Sequence, residues 1–112
     1  MEIVTNLGPV SVLAVTGKID GSTFQQLIDN VDTVIQQGHK NVVLDFKGVS
    51  YLSSAGIVAL QTILGRINGL GGQLALAGVT SDVNRTLDLV GATTWLNLYP
   101  DVATAQNSFD DA

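Results

Sequence analysis

Apolar residues in this chain keep two rhythms, and the rhythms alternate. Runs such as Val10–Thr16, Asn41–Asp45 and Gln73–Ala77 are dense in aliphatic residues and read as strands. Between them, Phe24, Leu27, Ile28, Val31, Val34 and Ile35 recur at helical spacing, and so do Ile57, Leu60, Ile63, Leu64 and Ile67. Strands separated by helices pair in parallel through βαβ crossovers. The pattern predicts the order β-β-α-β-α-β-α-β-α, an α/β class and a mainly parallel sheet. No linker, repeat or low-complexity tract divides the chain, and its 112 residues suit one domain over 1–112.

Turn and cap residues set the expected boundaries. Leu7-Gly8-Pro9 is turn chemistry between strands Glu2–Asn6 and Val10–Thr16, so the chain should open on a hairpin. Gly17-Lys18-Ile19-Asp20-Gly21 then breaks the second strand. Ser22 with Gln25 fits a capping box for the first helix, and Gly38 fits its stop. Phe46–Leu52 reads as a loop after the strand Asn41–Asp45. Gly69, Gly71 and Gly72 end the second helix. Ser81 should cap a short helix carrying Val83, Leu87 and Val90. Leu96–Tyr99 reads as a last strand, and Pro100-Asp101 opens a final helix with Val102, Ala105 and Phe109 inward. Ser108–Ala112 is expected to fray.

Composition removes several classes of function. The net charge is −5 with only five Lys or Arg, so the basic stripe that nucleic-acid binding leaves is missing. An acidic membrane surface is disfavoured for the same reason. No stretch approaches the roughly 20 apolar residues of a spanning helix, so membrane insertion is not expected. With no cysteine, thiol chemistry, disulfides and Cys-based zinc sites are out. His39 is the only histidine and has no companion at ligand spacing, so neither a metal site nor a Ser-His-Asp set can be argued. Gly69–Gly72 lacks the Gly-Lys-Ser/Thr ending of a P-loop. Trp95 and Phe109 read as packing residues. No cofactor is implied, and a cytoplasmic location is expected.

What remains is Val49-Ser50-Tyr51-Leu52-Ser53-Ser54-Ala55-Gly56-Ile57, which runs into the second helix. Helix starts have free N–H groups and a partial positive charge, and so accept anions. With Ser53 as N-cap, Leu52 and Ile57 occupy the two positions of a hydrophobic staple. Ser54 then falls at the first helical position, pointing outward and free of capping duty. Gly56 removes side-chain bulk beside it and would let another backbone come close. Capping alone also explains serines at such a place.

Val15-Thr16-Gly17-Lys18-Ile19-Asp20, Val42-Val43-Leu44-Asp45-Phe46 and Val49–Ile57 together resemble the STAS domain family. In size and layout the chain is most similar to bacterial anti-sigma factor antagonists, over essentially its whole length. Gly69-Leu70-Gly71-Gly72-Gln73-Leu74 also looks like the family's turn into its next strand. The resemblance implies a four- to five-stranded sheet with helices packed on one side. It implies a non-enzymatic regulatory role, with a partner serine kinase that is also the anti-sigma factor. That kinase phosphorylates one serine of an Asp-Ser-Ser/Thr-Gly motif, the antagonist lets go, and a serine phosphatase resets it. On the motif match Ser54 aligns with the phosphorylated serine. Ser53 stands where many members have Asp, and Ala55 where they have Ser or Thr. The resemblance also implies that Asp20, Asp45, Ser53, Ser54 and Gly56 border the partner surface; Asp20 and Asp45 follow strand ends in the sequence reading. Asp20 has a second reading, a local turn or cap before the first helix. Lys18 and Lys47 either touch the partner or are solvated.

STAS domains also occur in anion transporters and lipid-transport complexes. The alternative function is therefore an accessory subunit of such a complex, with Ser54 as a docking residue and no phosphoryl cycle. A small enzyme is the third class, and no general acid–base pair stands out to support it.

Overall fold

A computed structural model describes residues 1–109. The chain forms β1 (Glu2–Asn6), β2 (Ser11–Ile19), α1 (Phe24–Gln36), β3 (Asn41–Leu52), α2 (Ser54–Gly69), β4 (Gln73–Ala77), α3 (Ser81–Leu89), a 3-10 turn (Ala92–Thr94), β5 (Leu98–Tyr99) and α4 (Val102–Asn107). The five strands make one sheet whose spatial order follows the sequence. β1 is antiparallel to β2, and β2, β3, β4 and β5 are mutually parallel. The expected element order and mixed, mainly parallel sheet are found.

Alternation along the strands divides the core. Leu13, Val15, Val42, Leu44, Phe46, Leu74 and Leu76 face one side, against Leu27, Val31, Leu60, Ile63, Ile67, Val83 and Leu87 of α1, α2 and α3. Val43, Ala75 and Ala77 face the other, against Ala105 and Phe109 at the C-terminal end. Helices on a single side, as the resemblance implied, therefore holds for α1–α3. Helix α4 departs from it, because strands buried on both faces need a second cover. The frayed end expected over Ser108–Ala112 lies in part outside the described residues; Ser108 and Phe109 are placed, and Phe109 is buried.

The main difference from the expected boundaries lies in β3. Phe46–Leu52 is strand, not loop. Between Ala14 and Thr16 β2 advances two residues while β3 advances from Asp45 to Gly48. A second irregularity opposes Gly17-Lys18 to Val49 and Tyr51. Each inserts one extra residue into β3, as a β-bulge does. The inward side chains are consequently Leu44, Phe46, Val49 and Leu52, whose spacing slips from two to three and hides the strand period. Strand β2 likewise continues through Gly17, at φ +103°, to Ile19.

Smaller shifts are local. Thr23, not Ser22, is the N-cap of α1, and its side chain makes no capping bond. Ser22 is held by Asp20 instead, an instance of short polar side chains competing with helix capping. Thr80 rather than Ser81 caps α3, its hydroxyl accepting from Val83 N–H at 3.4 Å. Strand β5 is only Leu98–Tyr99, because Leu96 N–H still closes the preceding turn on the Ala92 carbonyl, and Asn97 meets β4 by accepting from Leu76 N–H. Val90, expected inward, lies beyond the end of α3 and is 56% exposed.

Two glycines separate backbone need from helix propensity. A Cβ on Gly72 would collide with the Lys40 carbonyl, 2.8 Å from its carbon, and that backbone is fixed by the adjacent β3–β4 pairing. A Cβ on Gly65, inside α2, meets nothing within 4 Å. Gly72→Ala should lower stability by about 1–3 kcal/mol, whereas Gly65→Ala should raise it by about 0.5–1 kcal/mol. Urea unfolding of the two variants beside the parent checks both signs.

Candidate functional site

The parallel pair β2–β3 ends at Ile19↔Leu52. The next amide, Ser53 N–H, donates to the Ile19 carbonyl at 2.9 Å. That bond stops the strand and fixes where α2 begins. Ser53 takes extended backbone angles (φ −89°, ψ 177°), and its Oγ accepts from Gly56 N–H at 3.4 Å. It is thus the N-cap, as expected. Leu52 and Ile57 on either side of the cap are buried in the same cluster, as a staple requires. Ser54 is the first residue of α2 and is exposed.

No acidic residue occupies the first turn of α2. The positive end of the helix therefore faces solvent with only a neutral hydroxyl as cap. A hydroxyl at Ser54 stands where an added anion would be electrostatically welcome.

Gly56 has a different task from the one its position suggested. It is buried, and a Cβ there would run into Leu52 Cδ1 and come within 3.1 Å of Ile19 Cγ2. Its missing side chain makes room for the protein's own core, not for an approaching backbone.

Asp20 follows the end of β2, beside the Ile19–Ser53 bond. Its Oδ1 accepts from Ser22 N–H at 2.9 Å, Ser22 Oγ–H at 2.7 Å and Thr23 Oγ–H at 3.3 Å. Asp20 N–H in turn donates to Thr23 Oγ1 at 2.9 Å, and that hydroxyl also lies 2.8 Å from the Lys18 carbonyl. The hydrogen bonds from Ser22, its hydroxyl first, hold the Asp20 carboxyl below its ordinary value of 3.8. The local reading of Asp20 is met, and its backbone follows directly on the Ile19 carbonyl that Ser53 N–H reaches. Thr23 was not singled out from sequence; its place three residues after an aspartate was the available cue.

Asp45 does not follow a strand end, because β3 runs on to Leu52. It is 6% exposed and falls on the α4 side of the sheet, between Leu44 and Phe46, which face α1–α3. The structure therefore separates it from the exposed rim that holds Asp20 and Ser54. Lys47 and Lys18 are exposed.

Immediately upstream of the serines, Ser50, Tyr51 and Leu52 form one wall of a groove of about 300 Å³. Asp82, Val83, Arg85, Thr86 and Leu89 of α3 form the other. Tyr51 is 51% and Leu89 81% exposed. Sequence reading did not bring α3 to this place; an unpaired leucine outside the Val83–Leu87 face was the only hint. Elsewhere, His39 Nδ1 lies 3.0 Å from the Gly8 carbonyl, linking the α1–β3 turn to the hairpin. Trp95 packs against the larger core cluster. Among the described residues there is no group of three side chains suited to a metal, and no helix is long and apolar enough to cross a membrane.

The STAS domain family model matches residues 2–105. The chain belongs to the STAS domain family. An anti-sigma F factor antagonist from Paenibacillus polymyxa is 30% identical over 100 residues, covering 86% of this chain and 83% of that protein. The crystal structure of an anti-sigma factor antagonist from Mycobacterium paratuberculosis superposes with a TM-score of 0.82 at 24% identity, covering 96% of this chain and 93% of the other. The phosphorylated form of the Bacillus cell fate determinant SpoIIAA has the same fold, with a TM-score of 0.73 at 15% identity and coverage of 96% and 98%. This STAS protein is a regulatory, non-catalytic domain of the anti-sigma factor antagonist type.

Ser53→Ala should cost about 0.5–2 kcal/mol through the lost cap, and Ser54→Ala should stay within about 0.5 kcal/mol of the parent, as read by urea unfolding. Asp20 should titrate below 3.8, and Ser22→Ala should move it back toward that value. The sign follows from linkage: a carboxyl depressed in the folded state contributes stability above its unfolded pKa and loses it as pH falls through the folded one. NMR titration of the Asp20 carboxyl carbon, with and without Ser22, reads both shifts.

Proposed function

We propose that Ser54 is the acceptor of a phosphoryl group delivered by a serine kinase that also serves as an anti-sigma factor. Phosphorylation releases this STAS protein from that partner, and a serine phosphatase restores it. The observation that carries the reading is that Ser54 is exposed at the first position of α2 while Ser53 does the capping. The hydroxyl can be modified without removing anything that the fold uses. The relative in Paenibacillus polymyxa is named an anti-sigma F factor antagonist, and the Bacillus protein of the same fold exists in a phosphorylated form.

In the transfer, Ser54 Oγ bonds to the γ-phosphorus of ATP held by the kinase. The bond from that phosphorus to the leaving oxygen of ADP breaks, and the hydroxyl proton passes to a base on the kinase. The product adds roughly −1.5 to −2 charge. At the start of α2 this charge gains about 0.3–1 kcal/mol from the helix dipole, so the helix survives. Release then arises at the partner, where bulk and charge disrupt a fitted contact. Asp20, Ser53 and the Tyr51–Leu89 groove form the rest of the contact surface, while Gly56 and Asp45 serve it from inside the domain.

Titration calorimetry with the purified kinase partner tests this. The unmodified and Ser54→Ala proteins should bind comparably. Ser54-phosphorylated and Ser54→Asp proteins should bind about tenfold more weakly or worse, a loss of ~1.4 kcal/mol or more. Equal binding by all four would remove the switch.

A further inference from the structure

A carboxylate taken out of water is costly unless hydrogen bonds or an opposite charge compensate it. Asp45, at 6% exposure, has two such contacts. Oδ2 lies 3.9 Å from Lys47 Nζ, but the lysine side chain is 82% exposed and water weakens the pair. Oδ1 accepts from Lys47 N–H at 3.1 Å. The backbone contact is the one with geometric content.

Lys47 lies at the first bulge of β3. There β2 goes from Ala14 to Thr16 while β3 goes from Asp45 to Gly48, so an N–H is left out of the regular ladder. On the other edge, pairing with β4 ends at Asp45↔Ala77. Gly78 then turns the chain away at φ +68°, and a Cβ there would sit 3.1 Å from Lys47 Cβ and 3.6 Å from Asp45 Oδ1. The Asp45 side chain thus fills the fork between diverging strands and supplies the acceptor that the ladder does not.

We propose that Asp45 is a positioning residue for Ser54, acting through this bulge. The bulge sets which side chains of the last part of β3 face inward, since one residue of slip reverses them. With it in place Val49 and Leu52 are buried, Leu52 pairs with Ile19, and Ser53 N–H reaches the Ile19 carbonyl. Without the acceptor the bulge loosens, and α2 starts from a less defined point. The inference rests on the reading of Ser54 as phosphoryl acceptor for its functional meaning, but not for its structural content.

The test compares Asp45→Asn, which keeps the Oδ1 acceptor and loses the charge, with Asp45→Ala, which loses both. Two readouts are taken where all variants are folded. One is amide hydrogen exchange at Ser53. The other is the initial rate of labelling at Ser54 by an extract of the source cells with radiolabelled ATP. Asp45→Ala should exchange Ser53 about tenfold faster or more and label about tenfold more slowly or worse. Asp45→Asn should stay within about twofold of the parent in both, because its amide oxygen still accepts. A lowered melting temperature in Asp45→Ala with unchanged Ser53 exchange would overturn the proposal, and so would an Asp45→Asn protein as perturbed as Asp45→Ala. Should Asp45→Ala fail to fold, Ser53 exchange in Asp45→Asn decides, and a tenfold rise overturns it. A parent protein that takes no label at Ser54 sinks the phosphoryl switch alone, since Ser53 exchange still decides the role of Asp45.

Discussion

The bond from Ser53 N–H to the Ile19 carbonyl joins three elements at one point: the end of β2, the end of β3 and the start of α2. Parallel strands have no tight turn to align them, so their register must come from side-chain burial and from where pairing stops. Here Ile19, Leu52 and Ile57 are buried together beneath that bond, and Gly56 is a glycine because Leu52 and Ile19 already occupy the space of a side chain. The rim above them, Asp20 and Ser54, inherits its geometry from this packing.

Electrostatically the rim is divided. The Asp20 carboxylate is satisfied by Ser22 and Thr23, which keeps it ionised at the loop end. The start of α2 carries no carboxylate of its own. The motif implied by the family resemblance has Asp where this chain has Ser53. A capping aspartate would satisfy the helix end with a full charge, whereas Ser53 at 3.4 Å satisfies it with a neutral oxygen. The helix start in this protein therefore keeps more of its positive potential for an incoming anion.

Much of this was legible in the sequence because it rests on local chemistry. The face Leu27, Ile28, Val31 and Val34 announces α1 by its spacing, and Ser53 announces the start of α2 by the staple around it. The far half of β3 was hidden because two inserted residues change its period from two to three, so Phe46, Val49 and Leu52 no longer alternate. Losing that strand also misplaced Asp45, which looked like a strand end and is a mid-strand residue inside the fold. The approach of α3 to Tyr51 depends on sheet order and helix placement, which no short window of sequence contains.

Under the proposed switch, the division of labour between this protein and an enzyme partner follows from the same geometry. A serine hydroxyl needs a base to become a nucleophile, and a base works best with a pKa near the working pH. The hydrogen bonds of Asp20 push its pKa the opposite way, making it a worse proton acceptor. Asp45 lies within the fold on the α4 side and is engaged by Lys47. Neither Asp20 nor Asp45 is thus suited to activate Ser54, and under the proposed switch the base comes from the partner. Under the proposed switch this is a safeguard: Ser54 stays unmodified until a partner brings both phosphate and base, so the state of the hydroxyl reports an encounter with that partner and nothing else.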